Sequence, residues 1–227
     1  MRATVVLFDV DGTLVTCGGA GRRAMEAAFR DVCGVEGVLS FRFGGGTDRA
    51  IARRGLSNAG LAPDERAIDE LLARYLTYLP GFLASASGYA VLPGVGELLS
   101  VLEGRERLAI GLGTGNVEQG ARAKLRPEAS TAASRSAGSA VTRRSARSCS
   151  RPGARRGAAR LGVEREACRV VVVGDTPRDV EAARAIGAAC VAVATGSDDA
   201  ATLRAAGASV VVADLGAAEV PEVVLGD

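Results

Sequence analysis

Histidine is absent from this 227-residue chain, and of its 28 basic residues only Lys124 is a lysine. The commonest zinc ligand is therefore missing, and the five cysteines (Cys17, Cys33, Cys149, Cys168 and Cys190) offer no Cys-x-x-Cys pair in its place. Their odd number also argues against a disulfide framework, so they read as reduced thiols of a cytoplasmic protein. No uncharged apolar run approaches the ~18 residues of a membrane span, and strand-like sequence begins by Thr4 with no basic-then-apolar leader before it. Neither membrane spanning nor secretion is expected. The length suits one large domain or a core with a modest insertion, and either can bury a core.

Net charge is scarce as well, at +2, and it is unevenly placed. Eight arginines (Arg135, Arg143, Arg144, Arg147, Arg151, Arg155, Arg156 and Arg160) fall within residues 129–160 with no acid among them, so the rest of the chain carries a net −6. The basic balance belongs to one segment, and no nucleic-acid partner is expected for the remainder.

What is present is organised around the stretch from Val5 to Val15. Its apolar start, Val5 to Phe8, reads as a buried strand that ends abruptly in Asp9, Asp11 and Gly12. Two carboxylates thus stand where a parallel strand empties into a loop, the edge at which open α/β sheets bind ligands. Acids this close repel unless a cation or a shared proton separates them, and Mg²⁺ with a phosphate ester would meet both needs. An acidic turn after a strand is the plainer reading of Asp-x-Asp-Gly taken alone.

Downstream, Ala24, Ala27, Ala28 and Val32 form an apolar stripe, and Ile68, Leu71, Leu72, Tyr75, Leu76 and Leu79 recur at helical spacing up to Pro80-Gly81. Residues 15–90 are therefore expected to be a small α-helical domain inserted after the first strand, leaving residues 1–14 and 91–227 as the core. Between its helices lies Phe43-Gly44-Gly45-Gly46-Thr47-Asp48, where Thr47 and Asp48 could touch a ligand or simply cap the helix through Ile51.

The core resumes with a helix from Val95 to Leu102 and a strand from Leu108 to Leu112, which ends in Gly113-Thr114-Gly115-Asn116. A small hydroxyl and glycine amides at a helix start can hold phosphate oxygens, although helix capping alone would explain them. A third strand, Val170 to Val173, closes with Gly174-Asp175-Thr176-Pro177-Arg178-Asp179. A helix beginning near Pro177 sets Asp179 one turn beyond Asp175, so both could approach one cation. Strands at Ala189 to Ala194 and Val210 to Val212 complete an alternation that predicts an α/β fold, a Rossmann-like, mostly parallel sheet.

In order and spacing these motifs resemble the haloacid dehalogenase-like superfamily, in its phosphoglycolate phosphatase-like branch with a helical cap. The match is carried by Phe8-Asp9-Val10-Asp11-Gly12-Thr13-Leu14, by Thr114-Gly115-Asn116 and by Gly174 to Asp179, and it spans residues 1 to about 126 and 160–227. The resemblance implies a Mg²⁺-dependent hydrolase of small-molecule phosphate monoesters. Asp9 would be the nucleophile that forms an aspartyl-phosphate, and Asp11 the acid and then the base. Thr114, Gly115 and Asn116 would bind the phosphoryl oxygens. Mg²⁺ would be held by Asp9, by Asp11 through its main-chain carbonyl, by Asp175 and by Asp179. Dehalogenating relatives lack an acid at the position of Asp11, and phosphonate-cleaving ones use a cap lysine, whereas Lys124 follows the threonine loop. Sugar-phosphate mutases stay open as an alternative, although they bring further polar cap residues and no such set is identifiable here. Phosphoacceptor signalling modules are similar in their clustered acids but have neither the insertion nor Asp-x-Asp-Gly-Thr.

One stretch departs from the family pattern. Relatives carry a further lysine or arginine and a further strand between the second and third motifs, but residues 126–158 are Ser/Ala/Arg text with almost no large apolar residue between Leu125 and Leu161. Such a composition cannot bury a central strand. It reads either as a disordered basic linker or as translation out of frame in a GC-rich gene. Codons permitted from Arg126 onward, shifted by one frame, give Ala-Gly-Gly-Leu-Asp-Arg-Cys-Phe-Ala-Val-Gly-Gly-Phe-Gly-Ser-Asp, which would restore a strand and a loop. An inert fold with a corrupted centre is the competing expectation.

Overall fold

The first strand, β1 (Thr4–Phe8), is buried along its whole length, which suits the centre of a sheet covered on both faces. In the computed structural model, which describes residues 2–125 and 150–226, it is an interior strand, paired on both sides. The chain leaves β1 through a short strand, β2 (Val15–Cys17), and runs into three helices, α1 (Ala20–Cys33), α2 (Asp48–Asn58) and α3 (Glu65–Ala84). It returns through β3 (Tyr89–Val91), which pairs antiparallel with β2. Then follow α4 (Val95–Leu102), β4 (Leu108–Leu112), α5 (Glu118–Leu125), α6 (Ser150–Arg160), β5 (Arg169–Gly174), α7 (Pro177–Arg184), β6 (Ala189–Val193), α8 (Ala200–Ala205), β7 (Val210–Val212) and α9 (Val220–Leu225).

The main sheet runs β4-β1-β5-β6-β7 with every pairing parallel. Its register decides where the motifs go. Phe8 stands opposite Leu112 on one side and Val173 on the other, so Asp9, Gly113 and Gly174 emerge together at one edge of the sheet. Helices between parallel strands cover both faces, as the sequence alternation requires.

The inserted helices follow their apolar stripes. Ala24, Met25, Ala28 and Phe29 of α1 are buried along α3, which supplies Ile68, Leu71, Leu72, Tyr75 and Leu79. Helix α3 does not stop at Pro80-Gly81 as its sequence predicts; it continues to Ala84. Proline costs one backbone hydrogen bond there, and burial of Leu83, worth about 1.5–3 kcal/mol, offsets it.

Within the segment 126–158, expected to be a disordered linker or out-of-frame text, the residues from Ser150 onward are helical instead: they belong to α6, which runs to Arg160 and buries Ala154 and Ala158 against β1 and β4. Small side chains let a helix sit close to a sheet where large ones would not fit. The rest of that segment, residues 126–149, on which the expected missing strand and most of the out-of-frame reading fall, lies outside the described residues. Among the described residues, β4 is an edge strand, no helix is long and apolar enough to cross a membrane, and Cys17, Cys33, Cys168 and Cys190 are free thiols.

Candidate active site

Asp9 continues the ladder of β1 by donating its N–H to the Val173 carbonyl at 2.9 Å. That bond fixes its carboxylate beside the end of β5, where Asp175 follows directly. Thr176 then caps α7, and Asp179 Oδ2 accepts from the Thr176 N–H (3.0 Å) and hydroxyl (2.6 Å), a reciprocal capping box. Asp179 is thereby turned toward the strand end. The three carboxylates are buried, and one oxygen from each lies within 4.8 Å of the others.

Three buried acids without a compensating charge resist ionisation together. Burial first, then repulsion from Asp179 and Asp175, pushes the Asp9 carboxyl well above its usual range, against a hydrogen bond from Thr114. Burial and Asp179 raise Asp175 to about 7, opposed by the Thr13 hydroxyl, which donates to its Oδ1 at 3.0 Å. Asp179 is also raised by burial. The cluster is closely walled: at Gly12, with φ of 82°, a Cβ would stand 2.3 Å from Asp175 Oδ2, so only glycine fits.

Asp11 lies on the other side of the turn and has different company. Lys124, buried on α5, places Nζ 2.6 Å from Asp11 Oδ2 and also donates to Asn116 Oδ1. Asn116 Nδ2 donates both to Asp11 Oδ2 (2.9 Å) and to Thr114 Oγ1 (2.8 Å). Burial works to raise the Asp11 carboxyl, but the Lys124 charge, its hydrogen bond, Asn116 and the Cys17 thiol together hold it below the usual range. The Lys124 ammonium is in turn held well up, since attraction to Asp11, Tyr75 and Asp48 outweighs its desolvation. The Asp11 side chain keeps 44 % of its surface accessible because it faces a cavity.

That cavity, of about 490 Å³, brings together all seven residues singled out from the sequence: Asp9, Asp11, Thr114, Gly115, Asn116, Asp175 and Asp179. The inserted segment contributes to its lining through Arg22, Met25, Ile51 and Tyr75 on the helices and Phe43 in the loop between α1 and α2. The Arg22 guanidinium lies 3.9 Å from the Phe43 ring centroid and donates to the carbonyls of Leu39 (2.5 Å) and Phe41 (2.8 Å). In the glycine loop, Thr47 caps α2 by accepting from the Ala50 N–H. Asp48 instead reaches the threonine loop, where its carboxylate accepts from the Val117 N–H.

Lys124 is the residue that motif reading passed over as a site member. The signal was there in its being the sole lysine, eight residues past Asn116 on a helix leading away from the threonine loop. Asp11, expected to meet the metal through its main-chain carbonyl, turns its carboxylate to Lys124 and Asn116, while the three-acid cluster consists of Asp9, Asp175 and Asp179.

Several solved structures share this fold at low sequence identity. A hydrolase from Pseudomonas syringae aligns with a TM-score of 0.68 at 20% identity, over 95% of this chain and 95% of that one. A predicted phosphoglycolate phosphatase from Haemophilus somnus 129pt aligns at 0.67 and 16%, over 98% and 97%. CbbY from Rhodobacter sphaeroides in complex with phosphate aligns at 0.66 and 19%, over 95% and 96%. No curated protein sequence matches the chain. Residues 3–187 match the family described as haloacid dehalogenase-like hydrolase, with the three motif-bearing strand ends inside the matched span, and the chain belongs to that hydrolase family.

Proposed function

We propose that this protein is a Mg²⁺-dependent phosphatase that hydrolyses small-molecule phosphate monoesters through an aspartyl-phosphate on Asp9. The observation that carries the reading is the division of the strand-end carboxylates: Asp9 sits in a buried three-acid cluster while Asp11, on the same turn, is matched to Lys124 and Asn116. One set of acids suits a hard cation with oxygen ligands, and the other suits proton transfer. Two proteins of the same fold, the predicted phosphoglycolate phosphatase and CbbY with its bound phosphate, agree with this direction.

In the first step an Asp9 oxygen bonds to phosphorus as the ester P–O bond breaks, and Asp11 gives its proton to the departing oxygen. In the second, water attacks the same phosphorus, Asp11 takes the water's proton, and the Asp9 carboxylate is regenerated with release of phosphate. The Thr114 hydroxyl, the Gly115 amide and Asn116 bind the phosphoryl oxygens. Lys124 holds Asp11 as a carboxylate in the free site, the form the second step requires. A bound phosphoryl group draws on the same ammonium charge, and as it does so Asp11 regains affinity for the proton that the first step spends. Mg²⁺ held by Asp9, Asp175, Asp179 and the Asp11 main-chain carbonyl would supply the positive charge that lets a carboxylate approach a phosphate dianion.

Residues 15–90 serve in this reading as a cap over the core of 1–14 and 91–227, and the cap wall of the cavity selects the leaving group. The partner is a small phosphorylated metabolite, in a cytoplasmic setting suited to free thiols. Lys124 also weakens the inert alternative, since α5 brings a basic residue to the site from among the described residues. The test is release of inorganic phosphate from a panel of phosphate esters with Mg²⁺ and with chelator. Mg²⁺-dependent release that disappears in Asp9→Asn is expected. Release that persists in Asp9→Asn, or none from well-folded protein across the panel, would sink the reading.

A further inference from the structure

The helix that carries Lys124 is held at both ends by the inserted segment. At its start, the Asp48 carboxylate, only 6% exposed, accepts from the Val117 N–H at 2.8 Å, the amide just ahead of α5. A second bond runs beside it, from the Asp48 N–H to the Gly115 carbonyl at 3.0 Å. The two backbones are close there: a Cβ on Gly115 would lie 2.9 Å from the Thr47 Cα. At the other end of α5, the Tyr89 hydroxyl of β3 donates to the Lys124 carbonyl at 3.0 Å. Between these points α5 packs on α3 and β2, both elements of the insertion, and Tyr75 lies alongside Gly120 and Lys124.

Asp48 therefore caps a helix other than its own, a task that its neighbour Thr47 leaves it free to perform by capping α2. An amide at a helix start is one of the donors that the helix cannot satisfy internally, and Asp48 supplies the acceptor from across the cavity. We propose that Asp48 and Tyr89 are positioning residues for Lys124: the inserted segment grips α5 by its two ends and so sets the ammonium against Asp11 and Asn116. Neither residue touches the reacting atoms. Assembly of the basic half of the site then requires the insertion to be seated on the core. The inference rests on the phosphatase reading only for its kinetic consequence.

Because Lys124 is the sole lysine, amine acylation of the full-length protein, followed by peptide mass mapping, reports on it alone, with the N-terminal amine as internal standard. Slow labelling is expected in the wild type. Asp48→Ala should speed it about tenfold, Asp48→Asn, which keeps a carbonyl acceptor, should stay within about threefold, and Tyr89→Phe should fall between. Thermal unfolding of each variant checks the fold. If Asp48→Ala does not fold, Tyr89→Phe against Asp48→Asn carries the test. Unchanged labelling in Tyr89→Phe and in folded Asp48→Ala overturns the proposal, and so does equal acceleration in Asp48→Asn and Asp48→Ala. In turnover, kcat should fall in Asp48→Ala with KM nearly unchanged and recover in Asp48→Asn. Asp9→Asn should stop turnover yet label like the wild type. If the wild type releases no phosphate, the functional reading fails while labelling still decides the positioning.

Discussion

Asp9 and Asp11 leave the same strand on the same turn, yet burial and neighbouring acids push the first carboxyl well up, while Lys124 draws the second down. Desolvation acts to raise both carboxyls, so it does not account for their opposite shifts. The partner decides. Asp9 faces Asp175 and Asp179, a group of like charges, whereas Asp11 meets an ammonium and an amide. A single turn thus presents one carboxyl among like charges and one beside an ammonium, the pair of states that the proposed two-step displacement would use.

Removing the first member of the comparison should have the largest effect. Asp9→Asn is expected to lower phosphate release by about 10⁴-fold or more, since the proposed mechanism makes Asp9 the nucleophile and an amide cannot take that part. Lys124→Met would make the environment of Asp11 more like that of Asp9. Activity should fall by about 10²–10³-fold, and the acid limb of the pH–rate profile should move upward as burial acts on Asp11 with only Asn116 and Cys17 left to oppose it. A limb that stays in place would mean that Lys124 does not control Asp11.

The acidic half makes a prediction about stability. The Asp175 carboxyl, at about 7 in the folded protein against 3.8 for the free group, binds a proton over a range in which the unfolded chain has lost it. Its contribution is fully present below the unfolded value and is lost as pH rises through about 7. In chelator, the thermal midpoint should therefore decline between about pH 4 and 7 and level off above, Asp175→Asn should flatten that decline, and Mg²⁺ should restore the midpoint at the alkaline end. A midpoint that rises with pH in chelator would contradict the cluster's electrostatics. The smallest effect is expected from Cys17→Ala, which removes a buried thiol hydrogen-bonded to Asp11. Activity should stay within about threefold, with a slight upward shift of the acid limb.

How much of this was legible beforehand follows from the range of each interaction. The strand Leu108 to Leu112 and the strand Val210 to Val212 have the bounds that their apolar runs suggest, and α7 begins at Pro177 as the motif implies. Asp9, Thr114 and Asp175 could be grouped because parallel strands deliver their carboxyl ends to one edge. Lys124 could not, because a helix places a side chain only once its own docking is known, and α5 docks on α3 and β2. The two roles open to Thr47 and Asp48 were likewise undecided, since both types cap helices; it turned out that one caps its own helix and the other serves α5.

The sequence by itself determined the alternation of strands and helices, the inserted helical segment and the three acidic or hydroxyl-bearing strand ends, because these depend on periodicity and on residues next to one another. Tertiary structure alone decided which carboxylate is matched and which is not. Asp11 and Lys124 are 113 residues apart, and a Coulomb interaction falls with distance in space, which only the packing of α5 against the insertion sets.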